Sequence, residues 1–132
     1  MDHPEKELLQ EAKTIAVVGL SANPDRPSYR VSRYLQQQGY KIIPVNPNIK
    51  EVLGEKAYSS LKDIPDKVDI VDVFRRSEDV PPIADEAIAI KARVLWMQEG
   101  IVNEAAAKKA EAAGLKVVMD HCIMVAHSQS FG

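Results

Sequence analysis

The stretch Thr14-Ile-Ala-Val-Val-Gly-Leu-Ser-Ala-Asn-Pro-Asp-Arg-Pro-Ser28 constrains the fold more than any other part of the chain. An apolar run breaks at Gly19 into a polar turn, and the turn opens a helix. Ile15, Val17 and Val18 are β-branched, as suits a strand buried on both faces of a parallel sheet. Gly19 permits the tight turn. Ser21 and Asn23 then offer short polar side chains, Pro24 and Pro27 stiffen the loop, and Ser28 stands where an N-cap would satisfy orphan amide donors. Such a helix start presents free N–H groups and a partial positive charge, which suit a diphosphate.

The dinucleotide fingerprint is absent. Its first, third and sixth glycines correspond here to Gly19, Ser21 and Pro24. It also requires an acidic residue at the end of the second strand to hold a ribose, whereas Lys41-Ile-Ile-Pro-Val45 runs into Asn46-Pro47-Asn48. NAD is therefore disfavoured. Lys50, near that strand end, suits a phosphorylated ribose and leaves the 2′ and 3′ positions equally open.

Beyond this unit, strands and helices alternate. A short helix from about Pro4 to Lys13 precedes the first strand. A helix runs to Gln38 and ends at Gly39, and 41–45 is the second strand. An irregular connector follows, with a brief strand or turn near Val52-Leu53-Gly54 and a helical turn over 60–65. Val68–Phe74 is the third strand, and Ser77 or Asp79 can cap the next helix, with Pro81 and Pro82 tolerated in its first turn. Val94–Met97 is the fourth strand, Asn103 caps a helix over 104–113, and 116–120 is the fifth strand. The alternation predicts a Rossmann-like, three-layer αβα fold with a five-stranded parallel sheet, most economically in the order 3-2-1-4-5.

Composition narrows the function classes. The 132 residues, 45% of them hydrophobic, fit one globular domain over 1–132. Seventeen basic and nineteen acidic residues are interspersed, for a net charge of −2, so there is no basic field for nucleic acid or an anionic membrane. No apolar run approaches a membrane span, and the start Met1-Asp-His-Pro-Glu-Lys-Glu is not a signal sequence. The single cysteine, Cys122, excludes an internal disulfide and fits a reducing compartment, so a cytoplasmic location is expected.

In an open parallel sheet the ligand lies outside the carboxyl ends of the strands. Those ends are 19–28, 45–50, 74–76, 98–101 and 120–122. Arg26, Arg30, Lys50, Arg75 and Arg76 are the cations available there for phosphates. No paired carboxylates, no nucleophile beside a base and no zinc spacing converge on them, so neither a catalytic set nor a metal site is expected. His121 and His127 flank Cys122 without matching a metal pattern, a lone cysteine at such a position is by default a buried apolar side chain, and Trp96 packs rather than stacks on a base.

The segments Val18–Pro24, Gly39–Pro47, Val68–Arg75, Leu95–Ile101 and Gly114–Cys122 together resemble the small stand-alone CoA-binding proteins. These are similar in turn to the N-terminal domain of the succinyl-CoA synthetase α subunit. The resemblance spans about Lys13 to Cys122, with the motifs in the family's order. It implies that Gly19, Ser21 and the helix start at Ser28 receive the diphosphate, while Asn46, Pro47 and Lys50 border the adenosine phosphate. It further implies that Phe74, Arg75, Gln98 and Gly100 flank adenine and pantetheine. The synthetase's phosphorylated histidine belongs to a second domain that this chain lacks, so its ligase reaction is not expected here.

The leading expectation is a non-catalytic CoA or acyl-CoA binding protein acting as carrier, sensor or regulator. The alternatives are a CoA-dependent transferase or thioesterase component using Cys122 or a histidine, and an NADP-binding oxidoreductase fragment. The pairable edge strands leave room for a homodimer or an unidentified protein partner.

Overall fold

A computed structural model describes residues 4–132. Along the chain, helix α1 (Pro4–Glu11) leads into β1 (Thr14–Val18), α2 (Pro27–Gln37) and β2 (Lys41–Val45). A small hairpin, β3 (Glu51–Val52) and β4 (Glu55–Lys56), and a 3₁₀ turn at Leu61–Asp63 form the connector. There follow β5 (Ile70–Val73), α3 (Val80–Ala89), β6 (Val94–Met97), α4 (Glu104–Ala112), β7 (Lys116–Val118) and α5 (Ile123–Phe131).

The five long strands form one parallel sheet in the order β2-β1-β5-β6-β7. In terms of the five strands expected from sequence this is 2-1-3-4-5, which corrects the order 3-2-1-4-5. Pro44 supplies the physical reason. Alternate residues of a parallel strand turn their backbone groups to the same side. The Lys41 N–H donates to Lys13 and the Val45 carbonyl accepts from Gly19 on the β1 side, so Pro44 faces the outer edge. There it has no N–H to offer a neighbour, and its carbonyl accepts instead from the Tyr58 N–H at 3.0 Å. A proline so placed makes β2 an edge strand, and the third strand pairs with the free side of β1.

Side chains alternate between the two faces of the sheet. On one face Ala16, Val18, Val71, Val73, Leu95 and Met97 meet α3 and α4 through Ala84, Ala87, Ala106 and Ala110, whose small side chains let the helices approach. On the other, Ile15, Val17, Ile42, Ile70 and Trp96 meet Leu9, Val31, Leu35, Ile123 and Ala126 of α1, α2 and α5. Each large side chain buried this way stabilises the fold by about 1.5–3 kcal/mol relative to exposure. Trp96 is fully buried and its Nε1 donates to the His121 carbonyl at 2.8 Å, so it packs, as its position at a strand end suggested. Asp69 clamps the start of the sheet, its Oδ2 accepting from the amides of Lys13 at 2.8 Å and Thr14 at 3.1 Å.

Helix α4 has the expected cap, with Asn103 Oδ1 accepting from the Ala106 N–H at 2.9 Å. The other caps differ. Helix α2 begins at Pro27, one residue before Ser28, with Arg26 at the N-cap and no side-chain cap; proline's fixed φ suits the first helical position. Neither Ser77 nor Asp79 caps α3 through its side chain, because the Ser77 Oγ accepts from the Val102 N–H at 3.0 Å. Helix α5 has no counterpart in the elements expected from sequence.

Candidate functional site

The strand order determines where ligand chemistry can gather. In the 2-1-3-4-5 arrangement the chain changes direction between the first and third strands, and the crevice outside their carboxyl ends is the place for a ligand. Here those strands are β1 and β5. Gly19 follows the first and Phe74 the second, and the Phe74 N–H donates to the Val18 carbonyl at 2.9 Å. The two loops meet so closely that a Cβ on Gly19 would lie 2.7 Å from the Phe74 carbonyl oxygen and 3.3 Å from Arg75 Nε. Gly19 also has φ +91°, so position 19 requires glycine on both counts.

The loop after β1 is held by its own side chains. Ser28 is buried in the first turn of α2, and its hydroxyl oxygen accepts the Ser21 N–H at 3.0 Å. This replaces the expected N-cap role. Ser21 Oγ in turn accepts the Asn23 N–H, and Asn23 Oδ1 the Asp25 N–H, both at 3.0 Å. Arg30 Nη1 donates to the Asp25 carbonyl at 2.7 Å, which engages that cation in bracing the loop. The loop is thus braced by its own side chains.

Beside it opens a cleft of about 750 Å³. Its walls bring together residues singled out from sequence, Phe74, Arg75, Arg76, Gln98, Gly100 and Cys122. Ile101, within the expected strand end 98–101, adds apolar surface, and so does Val31 of α2, which the sequence reading missed. The helical face that carries Val31 was visible in the sequence, but that its first turns border the cleft depends on how α2 lies against the sheet. Cys122 is half-buried on this wall, not enclosed in the core as a lone cysteine is by default. The Gly100 N–H donates to Asp120 Oδ1 at 2.6 Å, tying the loops after β6 and β7 together. Arg75 also borders a smaller cleft of about 310 Å³ on the other face of the sheet, beside Val18, Val45 and Ser60.

Asn46, Pro47 and Lys50 lie apart from this cleft, beyond the β1 loop at the end of β2. Asn46 is occupied internally, its Nδ2 donating to the Leu20 carbonyl at 3.1 Å and its Oδ1 accepting from the Asn48 N–H at 2.9 Å. Pro47 and Lys50 are exposed. A buried titratable group lies on β5, two residues before Phe74. Asp72 on β5 is fully buried, in register with Val17 and Trp96, and among the described residues neither carboxylate oxygen has a hydrogen-bond partner. Burial raises its pKa well above the ordinary carboxylate range.

A parallel sheet with helices on both faces, a side-chain-braced loop after its first strand and a cleft at the switch point define a Rossmann-like α/β domain. Residues 13–128 match the model of the CoA binding domain, and the chain belongs to that family. It is 55% identical over 123 residues to the uncharacterised protein YneT of Bacillus subtilis, a match covering 93% of this chain and 91% of that protein. A solved structure of a hypothetical protein from Pyrococcus horikoshii superimposes with a TM-score of 0.96 at 41% identity, covering all of this chain and 93% of the other. The chain is also 38% identical over 76 residues to the ADP-forming acetate–CoA ligase II of Archaeoglobus fulgidus, covering 56% of this chain and 11% of that protein. Among the described residues no helix is long and apolar enough to cross a membrane.

Proposed function

We propose that the protein binds CoA or an acyl-CoA without transforming it, as a carrier, sensor or regulator. The observation that carries this reading is the cleft at the β1/β5 switch point in a chain of the CoA-binding family. Its wall chemistry fits the parts of such a ligand. The amino end of α2 and Arg75 suit the diphosphate, and Val31, Phe74 and Ile101 suit the methylenes of pantetheine. Gln98 can bond a pantetheine amide. In this pose Asn46 stiffens the loop from behind, while Lys50 and Pro47 border the phosphorylated ribose from the β2 side. Clefts of this volume fall within the ordinary range for cofactor sites.

The test is a calorimetric titration with CoA beside dephospho-CoA, acetyl-CoA and NADPH. The expected result is binding of CoA and acetyl-CoA, a marked weakening without the 3′-phosphate, no binding of NADPH, and acetyl-CoA recovered intact after long incubation. Absence of heat with every CoA species would overturn the reading, and hydrolysis of acetyl-CoA would replace it with the transferase or thioesterase alternative.

A further inference from the structure

We infer that the backbone carbonyl of Glu99 accepts an amide N–H of the pantetheine arm, and that Asp120 is the positioning residue that aims this carbonyl into the cleft. The inference rests on the CoA-binding reading above and deepens it, because it names a polar group that holds the arm and the side chain that keeps that group in place.

The loop after β6 turns sharply over 98–101. The Ile101 N–H closes the turn by donating to the Gln98 carbonyl at 2.9 Å, and Gly100 stands third in it with φ +85°. That is the position at which a type II turn calls for glycine. The central peptide of such a turn, here between Glu99 and Gly100, reverses its direction when the turn converts to type I. Asp120 opposes that reversal. Its Oδ1 accepts the Gly100 N–H at 2.6 Å, and its own N–H donates to the Ile101 carbonyl at 3.2 Å. It makes both bonds from φ +56°, a left-handed conformation that aspartate tolerates better than most residues with a Cβ.

A trans peptide holds its carbonyl opposite its N–H. The Gly100 N–H points at Asp120, which lies outside the cleft wall, whereas Gln98, Glu99, Gly100 and Ile101 all line the cleft. The Glu99 carbonyl is therefore turned to the cleft side, and among the described residues nothing donates to it. A pantetheine arm carries two amides, and each N–H needs an acceptor when the arm leaves water. The turn is also on the right side for the arm. It follows β6, which lies beyond β5 from β1, away from the β2 end that borders the phosphorylated ribose in the proposed pose. The far end of the loop is tied independently, with Ser77 Oγ accepting the Val102 N–H and the Ser77 carbonyl accepting Asn103 Nδ2, both at 3.0 Å. Loss of the Asp120 carboxylate thus frees the central peptide without unseating the loop.

Calorimetry on the full chain tests this with CoA beside adenosine 3′,5′-bisphosphate, which keeps the nucleotide end and lacks the arm. Asp120→Gly removes the carboxylate and suits the positive φ. The expected result is CoA binding weakened about tenfold, with the bisphosphate unaffected. The urea midpoint should stay near the parent's, since Gly100 is exposed and water can reach its freed N–H. Asp120→Asn keeps an acceptor and tolerates the same backbone, and it should hold CoA affinity within about threefold of the parent. Gly100→Ala reaches the turn by a second route: a Cβ there meets nothing within 4 Å, so only the positive φ opposes it, and CoA alone should weaken. Unchanged CoA affinity in Asp120→Gly or Gly100→Ala, equal weakening of both ligands, or no recovery in Asp120→Asn would overturn the inference while CoA binding by the parent stands. A parent chain that binds no CoA species would overturn the functional reading with it.

Discussion

Ser28 Oγ accepts the Ser21 N–H at 3.0 Å across a seven-residue interval, closing the loop after β1 onto the first turn of α2. Because the serine is buried, its hydroxyl has no water to replace the lost partner when either end is altered. Ser28→Ala is expected to lower stability by about 1 kcal/mol. It should also weaken CoA binding by about tenfold, equivalent to about 1.4 kcal/mol, because the loop must then be ordered by the ligand. Chemical denaturation and calorimetry on the same preparation read the two effects, and unchanged affinity would remove the loop from the binding site.

Gly19→Ala strikes the junction of β1 and β5. The added methyl would stand 2.7 Å from the Phe74 carbonyl oxygen, a backbone atom that cannot swing aside, at a φ of +91°. Positive φ alone costs a non-glycine residue of order 1–3 kcal/mol. The expected outcome is a urea midpoint lowered by at least that equivalent, with CoA binding lost even where the chain remains folded. Gly39→Ala is the control, since a Cβ there meets nothing within 4 Å, although its φ of +100° carries the same strain. It should lower stability and leave CoA affinity intact.

The local signals of this sequence were legible because they are short-range. The β-branched run at 15–18, the Asn103 cap and the loops at the strand ends depend on neighbours along the chain, and the cleft gathers Phe74, Arg75, Gln98 and Gly100 from those ends. Strand order is a long-range property, and alternation alone does not distinguish 3-2-1-4-5 from 2-1-3-4-5. Pro44 held the missing clue, since an outward-facing proline in the second strand denies it a second full partner. Helix α5 was hidden for a different reason. Its N-cap, Cys122, makes no side-chain capping bond, and its residues have only a weakly amphipathic pattern, so packing of Ile123 and Ala126 on the sheet stabilises it more than local preference does.

Asp72 makes stability depend on pH in an unusual direction. In the unfolded chain its carboxyl ionises near the ordinary value of 3.8, whereas burial keeps the folded carboxyl protonated to much higher pH. Between those two values the native state holds more protons than the unfolded one, so its contribution favours folding at low pH and is lost as pH rises through the window. Asp72→Asn removes the ionisable group at nearly constant shape. Urea midpoints measured from pH 4 upward should decline less steeply in the variant than in the parent, and parallel curves would show that Asp72 does not titrate in this range.

His127 acts with the opposite sign and at a different place. It is buried on α5, with Nδ1 2.8 Å from the Tyr34 hydroxyl and its ring against Tyr40 and Phe131. Burial disfavours its charged form and lowers its pKa from the ordinary 6.5. Below 6.5 the unfolded chain therefore gains a proton that the folded chain refuses, and stability falls as pH drops from that value toward the folded pKa. The loss should appear first where the imidazole packs, as lower amide protection factors in α5 and the adjoining turns of α2 when pH falls from 7.5 to 5.5, each rate being referred to the slower intrinsic exchange at the lower pH. In His127→Gln the uncharged side chain removes this acid-induced loosening, while exchange elsewhere in the sheet follows the parent. If α5 in the variant still loosened on acidification, the effect would belong to another group.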